Sequence, residues 1–200
     1  MAVGAVVQAQ RLPRDGVDSD RSRRRRRCCM LGAEEGRDNW LGCTLMGQRF
    51  TNRRQAGRAL ASALERFRSP TTVVLALPRG GVPVGFEVAQ ALGAPLDVVL
   101  VRKIGAPGQP ELGIGAVVDG PDPQVVLNED VMAMVGADAA YFEAEKRRQL
   151  AEIERRRRLY RGERPPVPIE GRTVLLVDDG IATGGTARAA LKALARAGAA

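Results

Sequence analysis

The chain has 200 residues, a formal net charge of +8, 44% hydrophobic residues and only 4% aromatics, which suits one globular domain plus an appendage, with a core resting on Val, Leu, Ile and Ala. It contains no histidine, which excludes histidine-based triads, histidine general bases and histidine-ligated metals. Cys28, Cys29 and Cys43 form no CxxC pair, so neither a disulfide scaffold nor a protein-held metal is expected and a reducing cytoplasm is the expected compartment. No apolar run approaches the ~20 residues of a membrane span, and the start lacks a basic-then-apolar signal layout. The basic balance fits a polyanionic ligand, and also nonspecific attraction to nucleic acid.

Residues 1–48 show no sustained helical or strand period, and they are expected to form a disordered Arg-rich extension. Arg23 to Arg27 are five consecutive arginines, a solvated block of the kind that stays unfolded. No aromatic residues interleave it to make a stacking platform for nucleic acid. A biological start near Met46 would make the upstream residues an over-extended reading frame. The ordered domain is expected over 49–200. Thr51 or Asn52 caps a helix to about Phe67, with Ala56, Leu60, Ala63, Leu64 and Phe67 on its apolar face.

Val73-Val74-Leu75-Ala76-Leu77 reads as a buried strand. Pro78-Arg79-Gly80-Gly81 follows, then a helix over 82–92 stopped by Gly93. A Gly-rich turn with one arginine, opening a helix, is an anion-binding layout, because free backbone N–H groups and the helix dipole point the same way. Residues 96–101 form a third expected strand, ending in Arg102-Lys103, two cations well placed for an anionic ligand. Residues 105–111 read as a flexible Pro/Gly-rich loop, with Glu111 a candidate for proton transfer near its tip. Residues 114–118 and 124–127 look like a hairpin. Asn128, Glu129 and Asp130 can cap a long helix over about 131–160 that Gly136 splits. Arg155 to Arg158, beside Glu152 and Glu154, read as a solvated face with i,i+4 pairs.

The most informative stretch is Val174-Leu175-Leu176-Val177-Asp178-Asp179-Gly180-Ile181-Ala182-Thr183-Gly184-Gly185-Thr186. A buried strand ends in two carboxylates, a Gly/Thr loop follows, and residues 187–197 read as a helix. Ligands of open α/β sheets bind at the C-terminal ends of strands. The loop suits a phosphate, with hydroxyls of Thr183 and Thr186 added, and the two acids suit sugar hydroxyls or a hydrated metal. The combined specification is a phosphorylated sugar. The loop is no Walker A motif, since no lysine precedes Thr186.

This segment resembles the phosphoribosyl-pyrophosphate (PRPP) signature of the type I phosphoribosyltransferases. The resemblance implies an α/β fold with an open, mainly parallel sheet flanked by helices and a β-hairpin lid. The family normally continues with a further strand–helix unit, so the last strand unit is expected to be missing here. By the same resemblance, Asp178 and Asp179 hold the ribose hydroxyls, and Gly180, Ile181, Ala182, Thr183, Gly184, Gly185 and Thr186 wrap the 5′-phosphate. Arg79, Gly80 and Gly81 match the family's pyrophosphate loop, which often carries a non-proline cis peptide. Arg102 and Lys103 match a basic pair of adenine-type members, and their implied role is to stabilise departing pyrophosphate. Some purine-specific relatives have an acid where Ala182 stands, so the acceptor is unassigned.

The implied reaction transfers phosphoribose from Mg²⁺-bound PRPP to a small-molecule acceptor such as a nucleobase, releasing pyrophosphate. A homodimer is compatible, a nucleic-acid partner is weakly signalled, and no membrane partner is expected. A PRPP-sensing or RNA-binding module and an inactive truncated copy stand as alternatives.

Overall fold

A computed structural model describes residues 3–8, 40–45, 50–120, 123–136, 138–180 and 185–199. In chain order these are β1 (Val3–Gln8), β2 (Trp40–Leu45), α1 (Arg53–Ala63), β3 (Thr72–Ala76), α2 (Gly81–Leu92), β4 (Leu96–Val98) and β5 (Val101–Ala106). They continue with β6 (Gln109–Val118), β7 (Gln124–Leu127), α3 (Glu129–Met134), α4 (Ala139–Arg161), β8 (Thr173–Asp178) and α5 (Gly185–Arg196). No helix among the described residues is long and apolar enough to cross a membrane.

The main sheet runs β2-β1-β8-β3-β4. Its centre is parallel: β3 pairs with β8 on one side and β4 on the other. Every residue of β3 is buried, because helices cover both faces and both sets of alternating side chains must be apolar. Val74 faces Leu60, Leu64, Val84 and Val88 of the α1–α2 layer. Val73 and Leu75 face Ala190, Leu191 and Leu194 of α5. Asn52 caps α1 by accepting a hydrogen bond from the Gln55 backbone N–H at 2.9 Å. Ala61 is buried in that layer, whereas Ala63 faces solvent. The left-handed Gly93 ends α2 as expected.

Three expectations need correction. The far edge beside β8 is occupied, by antiparallel β1 and then β2. These two segments are therefore sheet, where a disordered extension was expected; the arginine block between them lies outside the described residues. The strand expected over 96–101 is two strands. β4 ends at Val98, and after Val99 and Leu100 the chain enters a separate antiparallel sheet, β5-β6-β7. The loop expected over 105–111 is largely sheet as well, since β5 runs to Ala106 and β6 starts at Gln109. Gly108, at a φ of 68°, supplies the left-handed turn between them. The β6–β7 hairpin forms as read from the sequence.

The second sheet packs against α4. Ile104, Ile114 and Val117 meet Phe142 and Ile153 in a core of their own. Gly136, at a φ of 62°, separates α3 from α4. The Asp138 carboxylate restarts the helix by accepting from the Tyr141 backbone N–H at 2.7 Å.

Candidate active site

The parallel register brings the C-terminal ends of β3 and β8 together. The Leu77 N–H donates to the Val177 carbonyl at 2.9 Å, and the Gly81 N–H donates to the Leu77 carbonyl at 3.0 Å. The turn at 77–81 is thereby laid along the end of β8, where Asp178 and Asp179 stand. The peptide between Pro78 and Arg79 is cis.

The two glycines of this turn are needed for close approach. A Cβ on Gly80 would fall 2.0 Å from Asp179 Oδ2, so the Asp179 carboxylate lies directly over the turn. A Cβ on Gly81 would meet the Val177 carbonyl oxygen at 2.6 Å and Asp178 Cα at 3.1 Å. Those are backbone atoms of a central strand and cannot swing aside. Gly81→Ala is expected to destabilise the fold by about 1–3 kcal/mol and to lower the melting temperature by several degrees in a calorimetric scan. An unchanged melting temperature would show that α2 can start farther from β8.

The two acids differ in environment. Asp179 Oδ2 accepts from Arg53 Nε at 2.8 Å and pairs with Arg53 Nη2 at 2.7 Å. Arg53 opens α1, 126 residues earlier in the chain, and nothing in the local sequence marks it as a site residue. Asp178 makes no ion pair among the described residues. Burial pushes its carboxyl up to about 6, and the neighbouring Asp179 charge adds to that; the Asp179 N–H donated to Asp178 Oδ1 at 2.8 Å pulls the other way.

Asp178 opens onto a polar cleft of about 120 Å³, walled by Leu77, Pro78, Leu100 and Val101 and faced by Arg102, Arg156 and Thr186. Three of the residues singled out from the sequence thus converge, namely Asp178, Arg102 and Thr186. The Arg79 side chain is exposed beside the cleft, with no hydrogen bond or ion pair among the described residues. Gly180 and Gly185 are exposed at the two described ends of the phosphate loop, while Ile181, Ala182, Thr183 and Gly184 lie outside the described residues.

Lys103 does not join Arg102. Successive residues of a strand point to opposite faces, and because β5 belongs to the second sheet, the pair is divided. Arg102 Nε donates to Gln149 Oε1 at 2.8 Å. Lys103 Nζ instead reaches the Glu111 carbonyl at 2.7 Å and its carboxylate at 3.1 Å. The Glu111 side chain is 97% exposed. Lys103 and Glu111 therefore meet each other, and neither lines the cleft.

Arg156, like Arg53, is a residue that sequence reasoning missed. It sits inside the run read as a solvated face, and only its place on α4 relative to β5 turns it toward the cleft. All four arginines of that run are ion-paired: Arg155 and Arg156 with Glu152, Arg157 with Asp119 and Glu154, and Arg158 with Glu154.

Comparison with known proteins adds a family and its relatives. The family model described as "Phosphoribosyl transferase domain" matches residues 50–200. Two proteins of Mycobacterium tuberculosis, from strains CDC 1551 / Oshkosh and H37Rv, each named "Putative phosphoribosyl transferase", are 52% identical over 141 residues. The match covers 70% of this chain and 31% of each relative, so the chain spans about a third of their length. The crystal structure of TT1426 from Thermus thermophilus superposes with a TM-score of 0.66 at 47% identity, covering 76% of this chain and 71% of that one.

Proposed function

Since the chain belongs to the phosphoribosyl transferase domain family, we propose that it binds PRPP at the ends of β3 and β8 and transfers the phosphoribosyl group to a small-molecule acceptor, releasing pyrophosphate. The observation that carries this reading is the convergence of Asp178, Thr186 and Arg102 on one cleft, next to the turn at 77–81. Sugar-binding acid, phosphate-loop hydroxyl and diphosphate-binding cation are then within reach of one ligand.

The chemistry asks the protein for positioning, charge neutralisation and exclusion of water. Asp178 and Asp179 accept hydrogen bonds from the ribose hydroxyls and fix the ring. The N–H groups at 180–186 and the Thr186 hydroxyl hold the 5′-phosphate at the start of α5. The N–H groups of Gly80 and Gly81, with Arg79 and Arg102, take the diphosphate and stabilise its charge as the bond to C1′ breaks and the acceptor attacks from the opposite side. Lys103, on the other face of β5, and its partner Glu111 on β6 lie away from the cleft and take no part in the step.

Among the described residues no group of three or more Cys, Asp or Glu side chains could hold a metal. A single cleft carboxylate and a hydroxyl are hard oxygen donors, suited to a hydrated Mg²⁺ held mainly by substrate oxygens. Mg²⁺ carried in by PRPP supplies further neutralisation of the diphosphate.

Arg155, Arg157 and Arg158 are each ion-paired with an acid of this chain, which favours transfer over RNA binding. The test is pyrophosphate release from Mg²⁺-PRPP with a panel of nucleobases. Acceptor-dependent release is the expected result. PRPP binding without release for any acceptor would favour a sensor, and no PRPP binding at all would end this reading.

A further inference from the structure

Four residues of α4 face the cleft side of the second sheet at helical spacing: Glu145, Gln149, Glu152 and Arg156. Gln149 is 5% exposed, an unusual burial for an amide. Both ends of that amide are used. Its Nε2 donates to Glu145 Oε1 at 2.6 Å, and its Oε1 accepts from Arg102 Nε at 2.8 Å. One turn further on, Glu152 Oε1 accepts from Arg156 Nε at 2.7 Å.

Arg102 and Arg156 are therefore built alike. Each has its Nε held by a side chain of α4, three residues apart on one helix face. Each lines the same cleft. The terminal Nη groups of both have no hydrogen-bond partner among the described residues. Neither guanidinium is engaged with Asp178, the acid that shares the cleft, whose carboxyl is governed by burial and by Asp179. Two anchored guanidinium forks with unengaged ends can each take two oxygens of an anion. A lone carboxylate occupies one fork; a ligand with oxygens on two adjacent phosphoryl groups occupies both.

We propose that Arg156 is a second diphosphate-binding arm of this site, contributed by α4 and acting together with Arg102, with Gln149 and Glu152 as the residues that position the two arms. Only the identity of the diphosphate's carrier rests on the phosphoribosyl reading; the arm itself is defined by its chemistry. Recruiting α4 makes the second sheet and its helix part of the substrate site, in addition to their role as a packing unit.

The experiment uses the full chain and inorganic pyrophosphate with Mg²⁺, followed by calorimetric titration. Arg156→Ala should weaken pyrophosphate binding by about 10- to 100-fold, the worth of charge-assisted hydrogen bonds. Arg158→Ala, on the same helix but 76% exposed and paired only with Glu154, should stay within about twofold, as expected for a surface charge. Arg156→Lys should fall between them, because it keeps a charge and loses the fork. Its binding loss also decides the matter if the alanine variant melts early.

Gln149→Leu should weaken pyrophosphate through Arg102, whereas a merely structural amide would alter the melting temperature and leave affinity unchanged. The proposal is overturned if Arg156→Ala binds like the wild type, if Arg158→Ala loses as much, or if the wild type does not bind pyrophosphate. Pyrophosphate binding that depends on Arg156, in a protein that ignores PRPP, would uphold this arm and end the phosphoribosyl reading alone.

Discussion

Replacing Asp178 and Asp179 together by asparagine is expected to weaken PRPP binding at least ~100-fold, since hydrogen bonds to two charged acceptors are lost. The fold should survive. The Asp179–Arg53 pair is solvent-accessible, with Arg53 47% exposed, and a pair of that kind contributes only about 0–1 kcal/mol. Asp178 works against stability at neutral pH. Its folded-state value of about 6 lies above the ordinary 3.8, so the folded protein holds its proton more tightly than the unfolded chain does. Below about pH 3 both states are largely protonated and almost nothing is lost. As pH rises through 4 to 6 the unfolded state ionises first, and native stability falls relative to a neutral side chain. Asp178→Asn alone should therefore become more stable than wild type by about 1–2 kcal/mol above pH 6, allowing for solvent screening, and gain almost nothing at about pH 3. Urea titrations across that range check the stability claim, and a flat difference would refute it. Undiminished PRPP affinity in the double variant would remove the acids from the sugar site.

The elements nearest the proposed chemistry were the legible ones. Val73 to Leu77 and Val174 to Val177 are unbroken apolar runs because both faces of their strands are covered, and a run of that kind shows plainly in a sequence. The break between α3 and α4 was equally visible at Gly136. What stayed hidden depends on long-range pairing. Residues 96–101 read as one apolar run, and nothing in that run reports that the chain leaves the main sheet after Val98. The departure is fixed from a distance: Arg161 holds the Asp97 carboxylate and the Val98 carbonyl, each at 3.1 Å. Missing that switch put Lys103 beside Arg102 at a strand end, when the alternation of β5 separates them. β1 and β2 are short, contain Gly4 and Gly42, and are far apart in the chain, so no local period announces them. The cleft role of Arg156 follows from which face of α4 meets β5, and that face is defined only once the second sheet exists.

Asp119→Ala is expected to cost about 3–5 kcal/mol and to loosen the site as well. Asp119 follows β6, its side chain is 2% exposed, and it accepts from both Nε and Nη2 of Arg157. Arg161 approaches its other oxygen at 3.8 Å. Arg161 in turn holds Asp97, whose second oxygen accepts the Val167 N–H at 3.0 Å. The last turns of α4 are thus clamped to both sheets by one buried network. Deleting one member of such a network leaves buried charge uncompensated, which is the expensive way to break it. Arg157 keeps Glu154 at 2.7 Å and some access to water, so the lower end of the range, about 3 kcal/mol, is expected. Asp119→Asn keeps one acceptor and should cost less. Because Arg156 lies one residue from Arg157, α4 held less firmly at this end should also present Arg156 less well, and pyrophosphate affinity should fall in Asp119→Ala beyond what Arg158→Ala produces. Urea unfolding and pyrophosphate titration on the same three variants separate the two effects. A stability loss no larger than that of an exposed pair, with affinity unchanged, would show that α4 is held by its apolar contacts alone.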